Sequence, residues 1–111
     1  MASPVAVVGY ACVGVGLGTV TGLVPGLHVN SVAFVLVGVA PGLDGPGAAV
    51  AAAILAAGVV HTFLSIVPGL VLGVPDAATA PGVLPGHRLV LAGRGREAIR
   101  LSALGSGIAL A

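Results

Sequence analysis

Apolar residues in this chain come in long unbroken runs. The stretch from Val5 to Val24 contains no charge, nine Val or Leu and five Gly. About 30 Å of hydrocarbon at about 1.5 Å per helical residue asks for roughly 20 such residues, so this run predicts a membrane-crossing helix. Leu27 to Ala40 is a second apolar run, too short to cross alone. Ala48 to Val67 is the clearest span, with His61, Thr62 and Ser65 late in it, and Gly69–Val74 continues it after a break. The predicted elements are a helix over about 5–24, a short half-helix over about 27–41, a helix over about 48–74, a basic loop over about 76–95 and the start of a further helix over about 96–111. Together, residues 1–111 read as a single membrane-embedded segment. The fold class is all-α: a polytopic integral membrane protein with Pro-Gly-interrupted helices.

The interruptions follow a pattern. Six of the eight prolines are followed directly by Gly: Pro25, Pro41, Pro46, Pro68, Pro81 and Pro85. Pro removes an amide donor and crowds the preceding turn, while Gly admits left-handed backbone, so each pair is read as ending or breaking a helix. Pro41 to Gly47, with Asp44, predicts a short polar turn, and Asp76 to Gly95 a longer loop. At Pro25–Gly26 and Pro68–Gly69 apolar sequence continues on both sides, so these two breaks are expected at membrane depth. Non-helical backbone survives there only when buried in protein or lining a wet cavity. Val-Pro-Gly-Leu occurs at 24–27 and again at 67–70, which pairs the two places. Leu101–Ala111 continues a helix opened around Arg94–Arg100 for only about half a crossing, so the chain reads as stopping in mid-span.

Composition agrees with lipid as the solvent. Of 111 residues 58% are hydrophobic, and the formal charges are four Arg, two Asp and one Glu. A soluble domain carries about a quarter charged residues. Positions 1–43 and 45–75 contain none, so a water-facing exterior is excluded for most of the chain. The single Cys12 excludes an internal disulfide, and no Cys/His spacing suggests a metal. A net charge of +1 gives no reason to expect nucleic acid. Nothing basic precedes the first apolar run, so a cleaved signal peptide is not predicted.

Candidate chemistry is sparse. Gly14, Gly18 and Gly22 form small-xxx-small steps on one helical face, where two helices can approach closely. Pro25-Gly26-Leu27-His28-Val29-Asn30-Ser31 joins a helix break to three polar side chains. A half-helix starting near Asn30 would offer free amides and a positive dipole end to a carboxylate, and Asn30 and Ser31 equally suit helix capping. His61 and Ser65 share a face, with Thr62 beside them, compatible with a proton relay or with a hydrogen bond to a neighbouring helix. Arg88, Arg94, Arg96 and Arg100 cluster with only Glu97 opposing them, as basic residues do in cytoplasmic loops; attraction of an anionic substrate is the other reading. No carboxylate pair, nucleophile–base set or metal cluster is visible. The chain is therefore not read as an enzyme, and no catalytic residue, cofactor or metal is assigned.

The ordered motifs resemble a known family. Gly22-Leu23-Val24-Pro25-Gly26-Leu27, an apolar stretch, then Gly42-Leu43-Asp44 resembles the start of the large permease subunit of tripartite tricarboxylate transporters. Pro75-Asp76-Ala77-Ala78-Thr79 resembles that family's Pro- and Ala-rich run ending in Thr. Gly86-His87-Arg88-Leu89 followed by Gly93-Arg94-Gly95-Arg96-Glu97-Ala98-Ile99 resembles its G-Y-P-L…G-R-A-x-x-A-L segment, and Ser106 matches a small-residue position in the helix beyond. The resemblance covers residues from about 9 to 111, in the family's order. There are departures. His28-Val29-Asn30 replaces the G-P pair common after P-G-L and resembles a divergent, largely archaeal branch. Leu70 to Val74 separates two prolines that the family places close together. Because family members are several times longer, the chain looks like an N-terminal portion or a truncated member.

The resemblance implies secondary transport of a small organic anion, with carboxylates held at broken-helix ends. The substrate-contact residues on that reading are Pro25, Gly26, His28, Asn30, Ser31, Pro75 and Thr79, with Gly14, Gly18 and Gly22 packing helices. The partners it implies are the lipid bilayer, the anion, a solute-binding protein, a small membrane subunit, and the remainder of the permease or other copies of it. The location it implies is the cell membrane, with several passes. The rival reading is a non-transporting membrane fragment or assembly subunit that packs through its Gly-rich helices.

Overall fold

In a computed structural model describing residues 3–43, 45, 47–75, 77 and 79–109, the first helix begins as its opening residues dictate. Ser3 accepts the Ala6 N–H on its hydroxyl at 3.1 Å, and Pro4 sits where no amide donor is needed. Helix α1 then runs Pro4–Leu23, 20 residues without a charge. It ends where Val24 turns extended and Gly26 takes φ +88, with Leu27 N–H donating to the Val24 carbonyl at 3.3 Å. Helix α2 (Val29–Val39) follows, then a 3-10 turn (Ala40–Gly42), helix α3 (Gly47–Leu64), helix α4 (Ile66–Leu72), helix α5 (Ala80–Leu91) and helix α6 (Gly95–Ala109). Among the described residues there is no strand. Asp44, Pro46 and Asp76 lie outside the described residues. The chain divides into two units, residues 1–62 and 63–111.

The first unit is held by a seam of small residues. Gly14, Gly18, Thr21 and Gly22 are buried on α1, and Ala49, Val50, Ala53 and Ala57 on α3. A Cβ placed on Gly14 would lie 2.9 Å from Ala53 Cα, and one on Gly18 would lie 2.9 Å from Ala57 Cα. Backbone therefore rests on backbone, with no room for a side chain at either step. Because 14 meets 53, 18 meets 57 and Thr21 meets His61, the two helices run parallel and level. The chain between them must return to its starting level. It does so through α2 and the 3-10 turn, and Gly45 reaches the ring of Tyr10, near the start of α1. None of the residues of α2 is buried, and Phe34, Val35 and Val37 are exposed.

In the second unit the structure departs from the sequence expectation twice. The expected break at Pro68–Gly69 lies instead at Ser65, and Pro68 and Gly69 sit inside α4. The reason is the reach of proline: its missing N–H and its ring act on the carbonyl four residues back, here Leu64, the last residue of α3. Ser65 keeps helical dihedrals (φ −62, ψ −22), so the interruption adds no extended residue to an apolar stretch of 26 residues, Gly47–Leu72. Second, most of the expected loop over about 76–95 is helix α5. Pro81 occupies its first turn, where a missing donor costs nothing, and Pro85 removes a single bond near the start. Gly82 and Gly86 lie against Ile66 and Leu70 of α4, so these glycines serve close packing. Helix α5 closes with Gly93 at φ +77, Arg94 N–H on the Leu89 carbonyl at 2.8 Å and Gly93 N–H on Val90 at 3.0 Å, a Schellman ending. Among the described residues of this unit, Gly69, Leu70, Val83 and Ala98 are buried.

Candidate functional site

The break between α1 and α2 is an open polar feature of the first unit. Val24 to His28 are all exposed. His28, in extended conformation (φ −98, ψ 137), holds the position before α2 and makes no side-chain cap. Asn30 and Ser31 fall inside the first turn of the half-helix, which starts at Val29, and neither polar residue occupies the capping position. Ser31 N–H turns back to the His28 carbonyl at 3.1 Å. The first-turn amides of a helix lack intrahelical partners and carry the positive end of its dipole. Three polar side chains, His28, Asn30 and Ser31, thus flank an uncapped helix start in a unit without Lys or Arg.

One turn before that break, α1 is tied to α3. Thr21 is 5% exposed; its hydroxyl donates to the Gly18 carbonyl at 3.3 Å and lies 3.1 Å from His61 Nδ1. Thr21 was not distinguished by sequence reasoning. The signal available was its position on the Gly14–Gly18 face, one turn on, as a polar group in an apolar helix.

The second unit carries the other expected contacts. Pro75 is half-buried just after α4, and Thr79 precedes α5, its carbonyl accepting Gly82 and Val83 N–H at 3.0 and 2.9 Å. His87, known from the sequence only as part of a motif, has a structural task. Its Nδ1 lies 2.7 Å from the Leu70 carbonyl in the last turn of α4, so it donates there and caps that helix end from α5. The ring also covers Gly73, whose φ of +70 closes α4. A cleft of about 280 Å³ between α4, α5 and α6 is lined by apolar residues, among them Leu70, Pro85 and Leu101, with Ser102 as its one hydroxyl. Beyond the α5–α6 turn, Arg94 forms a two-bonded pair with Glu97 (2.7 and 2.6 Å), and hydrogen bonding to Glu97, then its charge, hold the guanidinium above its ordinary pKa. Arg88, Arg96 and Arg100 are exposed.

Apolar helices of membrane length, one ended at a Pro-Gly break and the other interrupted ahead of a proline, define an all-α membrane protein. The chain belongs to the tripartite tricarboxylate transporter TctA family, whose model matches residues 8–111. It is therefore a member of a family of membrane-embedded transporters. A relative in Methanocaldococcus jannaschii, itself described as an uncharacterized protein, is 38% identical over 99 residues, which is 87% of this chain and 24% of the relative. The chain thus spans about a quarter of that relative's length. No solved structure matches it.

Proposed function

We propose that the chain forms part of a multi-pass cell-membrane permease for secondary transport of small organic anions, and that a carboxylate is received at the start of α2. The observation that carries this is the uncapped helix start after Pro25–Gly26, flanked by His28, Asn30 and Ser31, in a family of transporters. An anion bound in the first unit cannot lean on Lys or Arg from that unit, so backbone amides and neutral donors hold it. Pro75 and Thr79 are a separate candidate contact set in the second unit. A solute-binding protein, a small membrane subunit and the remainder of the permease are the partners of this reading, with the Arg88–Arg100 stretch on the cytoplasmic side. The rival reading, an assembly subunit packing through glycines, loses its main surface, because Gly14 and Gly18 are already filled by α3.

The test is Asn30→Leu in the full-length permease, read as citrate uptake per correctly inserted molecule. Losing a hydrogen bond to a charged group costs about 1.5–3 kcal/mol, so uptake at low citrate should fall about ten- to a hundredfold. An unchanged ratio removes Asn30 from the site.

A further inference from the structure

Helix α6 carries two unlike rows of side chains. Ala98 is 3% exposed, and with Ser102 it lines the cleft against α4 and α5. Arg96 and Arg100 lie two positions to either side of Ala98, about 200° around the helix, and both are exposed. Residues four apart are neighbours along a helix surface. The ridge that Arg96 and Arg100 open continues through Leu104 and Ile108, which are 62% and 76% exposed. One uncovered face thus presents two cations and then two large apolar side chains, in that order. From 96 to 108 is about 18 Å of helix, close to the depth of one leaflet from headgroup to bilayer centre.

The charges on this ridge are not answered from within. Among the described residues Glu97 is the one carboxylate, and Arg94 holds both of its oxygens at 2.7 and 2.6 Å. Arg96 and Arg100 therefore form no ion pair among the described residues. We propose that this ridge is a docking site for one anionic phospholipid, with its phosphate held by Arg96 and Arg100 and an acyl chain lying along Leu104 and Ile108. A guanidinium offers phosphate two N–H donors at once. Its carbon stem reaches to the headgroup layer, while the apolar residues one and two turns further on stay in hydrocarbon. A small soluble anion would satisfy the arginines and leave Leu104 and Ile108 without company. A lipid without net charge would cover Leu104 and Ile108 and leave the arginines in excess. An amphiphile with a negative head answers both halves in the order in which the ridge presents them. The site lies wholly on α6, and it stands whether or not the chain transports.

Electron spin resonance of chain-labelled lipids in phosphatidylcholine bilayers holding the full chain tests the site, because lipid held on a protein moves slowly enough to be counted apart from free lipid. Spin-labelled phosphatidylglycerol should be held in preference to spin-labelled phosphatidylcholine, by roughly fivefold for each arginine engaged. Arg100→Gln should lose about one such factor, and Arg96→Gln combined with Arg100→Gln should leave phosphatidylglycerol no better held than phosphatidylcholine. Arg88→Gln, on α5, should leave the preference in place. The wild type supplies a reading that needs no variant: in about 1 M salt, where the Debye length is about 3 Å, the preference should fall several-fold. A wild type that holds the two lipids alike at low salt overturns the proposal. Equal losses in Arg88→Gln and Arg100→Gln also overturn it, since they mean diffuse attraction to a basic stretch. Inorganic phosphate in the aqueous phase should not release the labelled lipid; release assigns the arginines to a soluble anion and overturns the lipid site. The same count in the full-length permease completes the test. A preference there that ignores the double substitution means that another part of the protein covers the ridge, and the proposal falls.

Discussion

The same four residues, Val-Pro-Gly-Leu, take two structures in this protein. At 24–27 they end a helix: Val24 is extended, Gly26 is at φ +88, and nothing lies within 4 Å of where a Gly26 side chain would be. At 67–70 they sit inside α4, with Gly69 and Leu70 buried and Val83 Cγ2 3.1 Å from a Cβ built on Gly69. Proline's local demand is the same in both, a missing bond one turn back. What differs is the company. Helix α5 packs on the second copy and makes continued helix worth its missing bond, whereas the first copy has no such cover. A Pro-Gly pair permits a break, and packing decides whether the chain takes it.

The strongest way to break this comparison is to remove the cover. Leu70 is 1% exposed, and Leu70→Ala should cost about 2–5 kcal/mol, with hydrogen exchange rising across residues 66–72. If exchange there stays slow, packing is not what keeps the second copy helical. A smaller effect is expected at Gly26→Ala, where a side chain must adopt left-handed backbone in open space. Its cost of about 1–2 kcal/mol is pure backbone strain, measurable by denaturant titration in detergent. A neutral result would show that the first break tolerates other geometries. The smallest effect belongs to Gly69→Ala. Helix propensity favours it by up to about 1 kcal/mol, and crowding against Val83 opposes, so the net change should stay within about 1 kcal/mol. A loss as large as that at Gly26 would mean that Val83 cannot move.

These contrasts mark what could be read from the residues. The first helix was legible because Val5–Val24 is long enough and uncharged, and its end because Pro25 is followed directly by Gly26. The start of α6 was legible from the run of Arg and Glu around Arg94–Arg100. Helix α5 was not, since Pro81-Gly82 and Pro85-Gly86 look like a loop until Ile66 and Leu70 are seen against the glycines. The interruption was displaced from Pro68 to Ser65 because proline acts one turn upstream. Of the candidate site, the polar residues after Pro25 were visible, but the ties from His61 to Thr21 and from His87 to Leu70 join residues 40 and 17 positions apart and have no local signature.

The seam between α1 and α3 has one further consequence. Gly14, Gly18, Ala53 and Ala57 have no rotamers, so bringing them together freezes no side-chain motion; a Leu, Ile or Met at each place would lose about 0.5–2 kcal/mol of conformational entropy. Such a contact has no soft coordinate through which the two helices can slide or breathe by side-chain rearrangement. It works as a fixed gauge, setting the separation of two parallel rods and, one turn further on, the spot where the Thr21 hydroxyl meets the His61 ring.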